Sequence, residues 1–270
     1  MLLLVLLVAM MRAALPAWTD DQDTVRSIVA KQLGPERAAA VPEGLQQLYI
    51  QPLERVDRCI TCHTTIDWGE DLAEAPHPAR SHPLPELMRA HPTEKFGCTL
   101  CHGGQGTATE KEAAHGYAPF WDEPLLDSRR AAAYDLTQAE LMEMRCNVCH
   151  LHQQKVEGMP LLNEAKAQVK KRRCIRCHTI FGEGENKGPD LTREGDKHPS
   201  AFHFPAGWSK PRTALNWHIE HFREPFGMVP NSIMPTYMID EKQMKGLALL
   251  VMSWRSQNLP AKYVPAPTRD

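Results

Sequence analysis

The chain has 270 residues, a formal net charge of -2 and charged residues at 24% of its length. This near-neutral balance argues against a nucleic-acid-binding protein, because such proteins carry a strongly basic surface. The mean hydropathy of -0.43 and the aromatic content of 7% fit a soluble chain of one or two domains with a modest supply of core side chains.

The chain opens on eleven uncharged apolar residues, Met1 to Met11. At ~1.5 Å per residue, a helix of this length covers about half of a ~30 Å hydrocarbon core. Residues 1–19 are therefore predicted to be an export signal, although no basic residue precedes the run and no clear small-residue cleavage site follows it. An uncleaved membrane anchor is the alternative.

Four helices are predicted along the rest of the chain. Residues 20–33 carry apolar side chains at helical spacing and end at Gly34-Pro35. The other three helices are predicted over residues 161–173, 213–223 and 240–254. Residues 51–160 are rich in proline and glycine and show little periodicity, which indicates loops and short helices. The predicted fold class is mainly α.

All eight cysteines fall into four C-x-x-C pairs, each followed directly by a histidine. The pairs are Cys59 and Cys62, Cys98 and Cys101, Cys146 and Cys149, and Cys174 and Cys177, and the histidines are His63, His102, His150 and His178. Two thiols at this spacing can form thioethers with one porphyrin, and the next histidine can supply the proximal nitrogen to its iron. Zinc sites, redox dithiols and disulfides are the alternatives, but none of them needs a histidine after every pair. The pattern predicts four covalently bound haem c groups. Because haem c is attached outside the cytoplasm, it also predicts an exported, periplasmic protein.

The residues after the fourth motif resemble a class I cytochrome c domain. The resemblance rests on Gly188-Pro189-Asp190-Leu191, on Ser232-Ile233-Met234-Pro235 and on the last predicted helix, and it covers about residues 158–258. It implies that His178 is the proximal ligand, that Pro189 braces it and that Met234 is the distal ligand. Met228 and Met238 are nearby alternatives. Methionine–histidine ligation raises a haem potential relative to two histidines.

Three more distal ligands are needed if every iron is six-coordinate. His82, His91 and His115 are predicted to supply them, and His82 and His91 each precede a proline that holds the chain extended. The alternatives are His77, His152, Met142, Met144 and Met159. The histidines from His198 onward are expected to be surface or packing residues, with His218 and His221 partly exposed. The pairing of ligands with haems stays open.

Residues 44–160 resemble the N-terminal part of bacterial multihaem cytochromes c, in which a multihaem segment is joined to a class I domain. The resemblance implies a tetrahaem c-type cytochrome with four regions. These are the export segment at 1–19, a loop-rich trihaem module organised around its haems at 20–157, an all-α class I domain with one haem at 158–260, and a tail at 261–270. It also implies redox partners, namely a membrane quinol-oxidising complex and an electron acceptor.

Charge is divided unevenly, with a balance of -8 over residues 20–155 and +5 over residues 156–270. Basic residues gather beside the fourth motif, at Lys166, Lys170, Lys171, Arg172, Arg173 and Arg176. They predict a docking surface for an acidic partner, and a solvated helix face is the alternative.

The predicted function is an electron carrier, without catalytic residues, between a membrane quinol-oxidising or dehydrogenase complex and a soluble or terminal acceptor. The alternatives are a multihaem reductase or peroxidase with one open iron, and a haem-based sensor.

Overall fold

The computed structural model describes residues 16–119, 121, 123–256 and 259–268. The apolar run from Met1 to Met11, and with it the predicted signal or anchor, lies outside the described residues. Among the helices that are described, none is both long and apolar enough to cross a membrane. The chain divides into two compact units, Met1–Leu125 and Leu126–Asp270.

The first unit consists of short helices and one small hairpin. Its helices are α1 (Trp18–Leu33), α2 (Pro35–Ala39), α3 (Pro85–Ala90), α4 (Thr93–Phe96), α5 (Thr99–His102) and α6 (Lys111–Ala114), and its strands are β1 (Leu48–Ile50) and β2 (Arg55–Asp57). The two strands pair antiparallel, with Tyr49 opposite Val56. The helix predicted at 20–33 is confirmed as α1, and the residues after it form the predicted loops and short helices.

The main apolar cluster of the first unit is small. Val25 and Val29 of α1 pack against Leu72 and a few small side chains. Among the described residues this cluster holds seven buried side chains, and three of them are alanines. Few large apolar groups are therefore available to hold the loops of this unit together.

The second unit is a helical bundle. Its helices are α7 (Ser128–Ala132), α8 (Gln138–Cys149), α9 (Pro160–Arg172), α10 (Ala214–Arg223), α11 (Pro225–Met228) and α12 (Glu241–Met252), and its short strands are β3 (Thr179–Ile180) and β4 (Glu183–Gly184). Helices α9, α10 and α12 confirm the three predicted helices of this region to within two residues. Thr213 and Asp240 cap α10 and α12 by accepting hydrogen bonds from backbone amides in the first turn.

Helix α12 lies at the centre of the second unit and packs against α8, α9 and α10. Its side chains from Leu247 to Val251 are buried. At Gly246 the helix approaches α9 closely, because a Cβ there would lie 3.0 Å from the Cδ1 atom of Leu161. These contacts fix the direction of α9, which leads into the fourth cysteine motif.

The prediction of loops across residues 51–160 is wrong at α8. This helix begins with a capping box, in which the Thr137 side chain accepts from the Glu140 amide and the Glu140 carboxylate accepts from the Thr137 amide. That signal is present in the sequence as Thr-x-x-Glu. Because α8 packs on α9 and α12, the third cysteine motif belongs to the second unit. The predicted domain boundary at 157/158 thus falls inside that unit, whereas the structure divides the chain after Leu125.

Candidate haem sites

The four motifs share one local geometry. All eight cysteines are half-buried. In each motif the histidine amide donates to the carbonyl of the first cysteine: His63 to Cys59 at 3.0 Å, His102 to Cys98 at 2.9 Å, His150 to Cys146 at 3.1 Å, and His178 to Cys174 at 3.0 Å. This single helical turn places the first cysteine and the histidine on one face of the chain. Within the described parts of the chain, no cluster of three or more His, Cys, Asp or Glu side chains could hold a metal ion.

The His178 ring has a fixed tautomer. Its Nδ1 lies 2.9 Å from the carbonyl oxygen of Pro189, and a carbonyl oxygen only accepts, so Nδ1 carries the proton. The Nε2 lone pair is then available to a metal. The ring packs against backbone at Gly188, where a Cβ would lie 2.6 Å from Cε1. Glycine is therefore required at residue 188 for the ring to keep this position.

The segment that carries Met234 lies beside the fourth motif. Burial raises the pKa of Tyr237, and the neighbouring Cys174 and Cys177 raise it further. The guanidinium of Arg172 lies 4.9 Å from the centre of the Tyr237 ring and ties the segment to α9. Met234 itself is half-buried.

The two alternative methionines have different surroundings. Met228, the last residue of α11, is buried with 5% of its surface exposed, and Met238 is 97% exposed. Neither has the half-buried position beside the fourth motif that Met234 has.

The prediction of partial exposure is wrong for His218. This side chain is 3% exposed. Its Nδ1 lies 2.7 Å from the Ala214 carbonyl oxygen, and its Nε2 lies 3.3 Å from the Glu194 carboxylate. Both ring nitrogens face acceptors, so His218 has a packing role and leaves no nitrogen for a metal.

Among the described residues, the buried Nδ1 of His221 has no hydrogen-bond partner. The ring stacks on Trp217 with ring centres 4.7 Å apart. Burial, with smaller effects from the nearby His218 and His178, lowers the pKa of His221 to about 4. The His221 ring is therefore a neutral imidazole in the neighbourhood of the fourth motif, which the sequence did not indicate.

The third motif is held by α9. His150 Nδ1 lies 2.5 Å from the Gln153 amide oxygen. The Lys166 ammonium donates to the carbonyl oxygens of His150 at 2.9 Å and Gln153 at 2.6 Å. Burial lowers the pKa of Lys166 to about 8. Lys166 is only 8% exposed, so it is removed from the basic surface on which the sequence placed it.

The first two motifs are joined through Asp57. This carboxylate is 1% exposed. It accepts from the amides of Cys98 at 2.6 Å and Thr99 at 3.0 Å, and from the Thr99 hydroxyl at 2.7 Å. Asp57 lies two residues before Cys59, so it fixes the second motif directly beside the first.

The thiols that begin the first two motifs are in contact. A hydrogen bond between them lowers the pKa of Cys59 and raises that of Cys98. At the second cysteine of the first motif, burial and the neighbouring Asp21 of α1 together raise the pKa of Cys62 to about 12. The buried amide of Gln22, also on α1, donates to the Thr61 carbonyl at 2.8 Å. Helix α1 thus positions the first motif.

Two motif histidines of the first unit each face one other histidine. The ring centres of His63 and His77 are 6.1 Å apart, and those of His82 and His102 are also 6.1 Å apart. Burial lowers the pKa of His102 to about 4, with smaller effects from His82 and His63, so the ring is neutral near pH 7.

The other two predicted ligands of this unit lie against aromatic rings. His91 is 5.0 Å from Phe96 and His115 is 6.2 Å from Tyr117, measured between ring centres. His115 is also near enough to His63 to lower its pKa.

The residues of the fourth motif fit a haem c group. Cys174 and Cys177 are free thiols, the His178 Nδ1 faces the Pro189 carbonyl so that Nε2 can bind a metal, and Gly188 admits backbone against the ring. Residues 162–254 match the family model described as Cytochrome c, over about a third of the chain. No curated protein and no solved structure matches the chain. The geometry and the match together support a cytochrome c domain at residues 162–254, and with it covalently bound haem c and an electron-transfer role for this protein.

Proposed function

We propose that the chain is a tetrahaem c-type cytochrome that carries electrons and has no substrate chemistry of its own. One observation carries the proposal. All four C-x-x-C-H motifs, including the three outside the matched residues, form the same hydrogen-bonded turn. If that turn holds haem c in the matched domain, the three other copies are built to hold it too. The iron of each haem supplies a one-electron change between the ferrous and ferric states.

The protein's own residues attach the haems and set their ligands. In this proposal the cysteine pairs form the thioethers and the four motif histidines are the proximal ligands. Met234 is the distal ligand of the fourth haem, supported by the position of Tyr237, three residues later, near Cys174 and Cys177. His91 and His115 stay predictions as ligands, and the third haem has no assigned distal ligand.

A partner surface is part of the same proposal. Four basic side chains next to the fourth motif are exposed: Lys170, Lys171, Arg173 and Arg176. Ile175 lies among them with 43% of its surface exposed. A basic rim around an exposed apolar side chain suits a transient contact with an acidic redox protein. The electron donor in the proposal is a membrane quinol-oxidising or dehydrogenase complex, and the compartment is outside the cytoplasm, where haem c is attached.

The test is a count of haems and of their spin states. Intact mass and the pyridine haemochrome assay of the purified holoprotein are expected to show four covalent haems. Electron paramagnetic resonance is expected to show low-spin ferric iron at all four. Fewer than four haems would contradict the tetrahaem proposal. A high-spin ferric signal from a full haem equivalent would instead favour a reductase or peroxidase with one open iron.

A further inference from the structure

The two histidine pairs of the first unit have the spacing of two ligands on one iron. With a metal–nitrogen bond of about 2 Å and about 1.2 Å from that nitrogen to the ring centre, two axial imidazoles have ring centres about 6.4 Å apart. The observed separations are 6.1 Å for His63 with His77 and 6.1 Å for His102 with His82. Both separations therefore agree with the distance expected for two axial imidazoles on one metal ion.

Each pair also combines the two kinds of histidine that a haem c iron with two histidine ligands needs, one proximal and one distal. Each contains one histidine from a C-x-x-C-H motif and one from the loop that follows the first motif. The ring planes within the pairs are inclined at 86° and 75°, and no hydrogen bond joins the rings in this part of the described chain. Two pairs with the same spacing, each ending on a different motif histidine, point to a shared role rather than to two separate aromatic contacts.

The loop between the first two motifs is anchored to the residues that directly follow the first motif. The Thr65 hydroxyl donates to the carbonyl of the buried Ala79 at 2.8 Å, and the His82 amide donates to the Ile66 carbonyl at 2.8 Å. The loop therefore returns to the first motif through contacts that do not involve the histidine rings. His77 lies two residues before the first anchored position, and His82 is itself the second.

We propose that the first unit holds two bis-histidine haems, one with His63 and His77 as axial ligands and the other with His102 and His82. This assignment rests on the proposed tetrahaem function and adds to it the pairing of ligands with haems. It replaces His91 and His115 by His77 for these two irons. One contact must change on ligation: the Leu84 amide donates to His82 Nδ1 at 3.2 Å, and binding of iron through Nε2 transfers the ring proton to Nδ1 and ends that contact.

The test replaces each proposed distal ligand by methionine in the full-length holoprotein. H77M and H82M are each expected to convert one bis-histidine haem to methionine–histidine ligation. In near-infrared magnetic circular dichroism, one haem equivalent of bis-histidine intensity is lost and one of methionine–iron charge transfer is gained. The midpoint potential of one haem rises in each variant. H77A and H82A serve as second variants, and each is expected to give one equivalent of high-spin ferric iron.

The controls are H198M and H203M, which make the same replacement at two exposed histidines outside the proposed ligand set. Their spectra are expected to equal that of the unaltered protein. The pairing is overturned if H77M or H82M leaves the bis-histidine intensity unchanged, as the two controls do. Haem content measured on every variant separates the two proposals. Four haems with unchanged spectra refute only the pairing, whereas fewer than four haems in the unaltered protein refutes the tetrahaem function.

Discussion

Met234 is a ligand candidate because of its surroundings rather than because methionine is rare. The chain has 12 methionines, and most residues of this type pack in cores. The Ser232 hydroxyl accepts from the Met234 amide at 3.2 Å, and Tyr237, three residues after Met234, has the Arg172 guanidinium 4.9 Å from its ring centre. Because the backbone is held on both sides of Met234, the positions that its thioether sulfur can occupy are restricted.

The replacement Met234→Ala is expected to remove the methionine–iron charge-transfer band and to lower the potential of one haem. The reason is that a thioether ligand favours ferrous iron more than the water or nitrogen ligand that would replace it. Met238→Ala is the matched control, since that side chain is 97% exposed and four positions away. Near-infrared magnetic circular dichroism and a redox titration measure both variants.

His221 makes the outcome of that experiment informative. If the band survives in Met234→Ala, the assignment of Met234 is wrong. If the haem of Met234→Ala stays low-spin, we expect His221 to replace the thioether, because its buried Nδ1 has no hydrogen-bond partner in the described part of the chain and His178 is close enough to lower its pKa. The double variant with His221→Phe would then become high-spin.

At the scale of elements, short helices are held by side chains from distant parts of the chain. Helix α5 has only four residues and carries the second motif. A helix of this length is not stable alone, because nucleation costs more than one turn of hydrogen bonds returns. The Asp57 carboxylate of β2 accepts its first amides and so substitutes for the missing turns.

Asp57→Ala is expected to destabilise the first unit by about 2 to 4 kcal/mol, since it leaves the buried amides of Cys98 and Thr99 without an acceptor. Hydrogen exchange measured by mass spectrometry should show faster exchange in the peptide that contains residues 98–102. Asp67→Ala is the control, because Asp67 is an exposed aspartate of the same unit. Equal exchange in the two variants would refute the capping role.

Helix α8 is stabilised at its start by a capping box rather than by a side chain from a distant part of the chain. Its capping box lies within four consecutive residues, Thr137 to Glu140, so its start is decided locally. Its other end needs the tertiary structure, because the Asn147 side-chain amide donates to the Ser253 hydroxyl at 2.7 Å, 106 residues away. The third motif therefore lies at the end of a helix whose start is determined by neighbouring residues. The position of that helix is determined by packing within the second unit.

At the scale of the whole molecule, charge separates between the two units. Counted over the full sequence, residues 1–125 carry a balance of -7 and residues 126–270 a balance of +5. The difference in charge between the two parts of the chain is nearly the same whether the chain is divided after residue 125, as in the structure, or near the boundary predicted from the sequence. The exposed lysines of α9 belong to the basic unit, and the buried Lys166 does not contribute to its surface.

The double variant Lys170→Glu with Lys171→Glu is expected to slow oxidation of the reduced protein by ferricyanide about tenfold at low ionic strength. The physical reason is that a basic surface steers an anionic oxidant to the nearby haem. The matched control is Lys31→Glu with Lys111→Glu, which makes the same change of charge in the acidic unit. Stopped-flow rates measure both.

The difference should disappear near 1 M salt, where the screening length is about 3 Å. An equal loss of rate in both double variants would show that net charge matters and that the surface beside the fourth motif does not. A difference that persists at high salt would show that the substitutions act on the haem rather than on steering.

The four C-x-x-C-H motifs, the four predicted helices and the mainly α class could be predicted from the sequence, because each of these depends on residues within a turn or two of one another. The capping box of α8 is equally local, and it could have been predicted as well. The tertiary structure was needed to show that His63 faces His77, that Asp57 holds Cys98, that Lys166 is buried and that the third motif packs with the second unit. Those contacts join residues from 14 to more than 100 positions apart, and such distances are closed by packing and buried hydrogen bonds that no local pattern encodes.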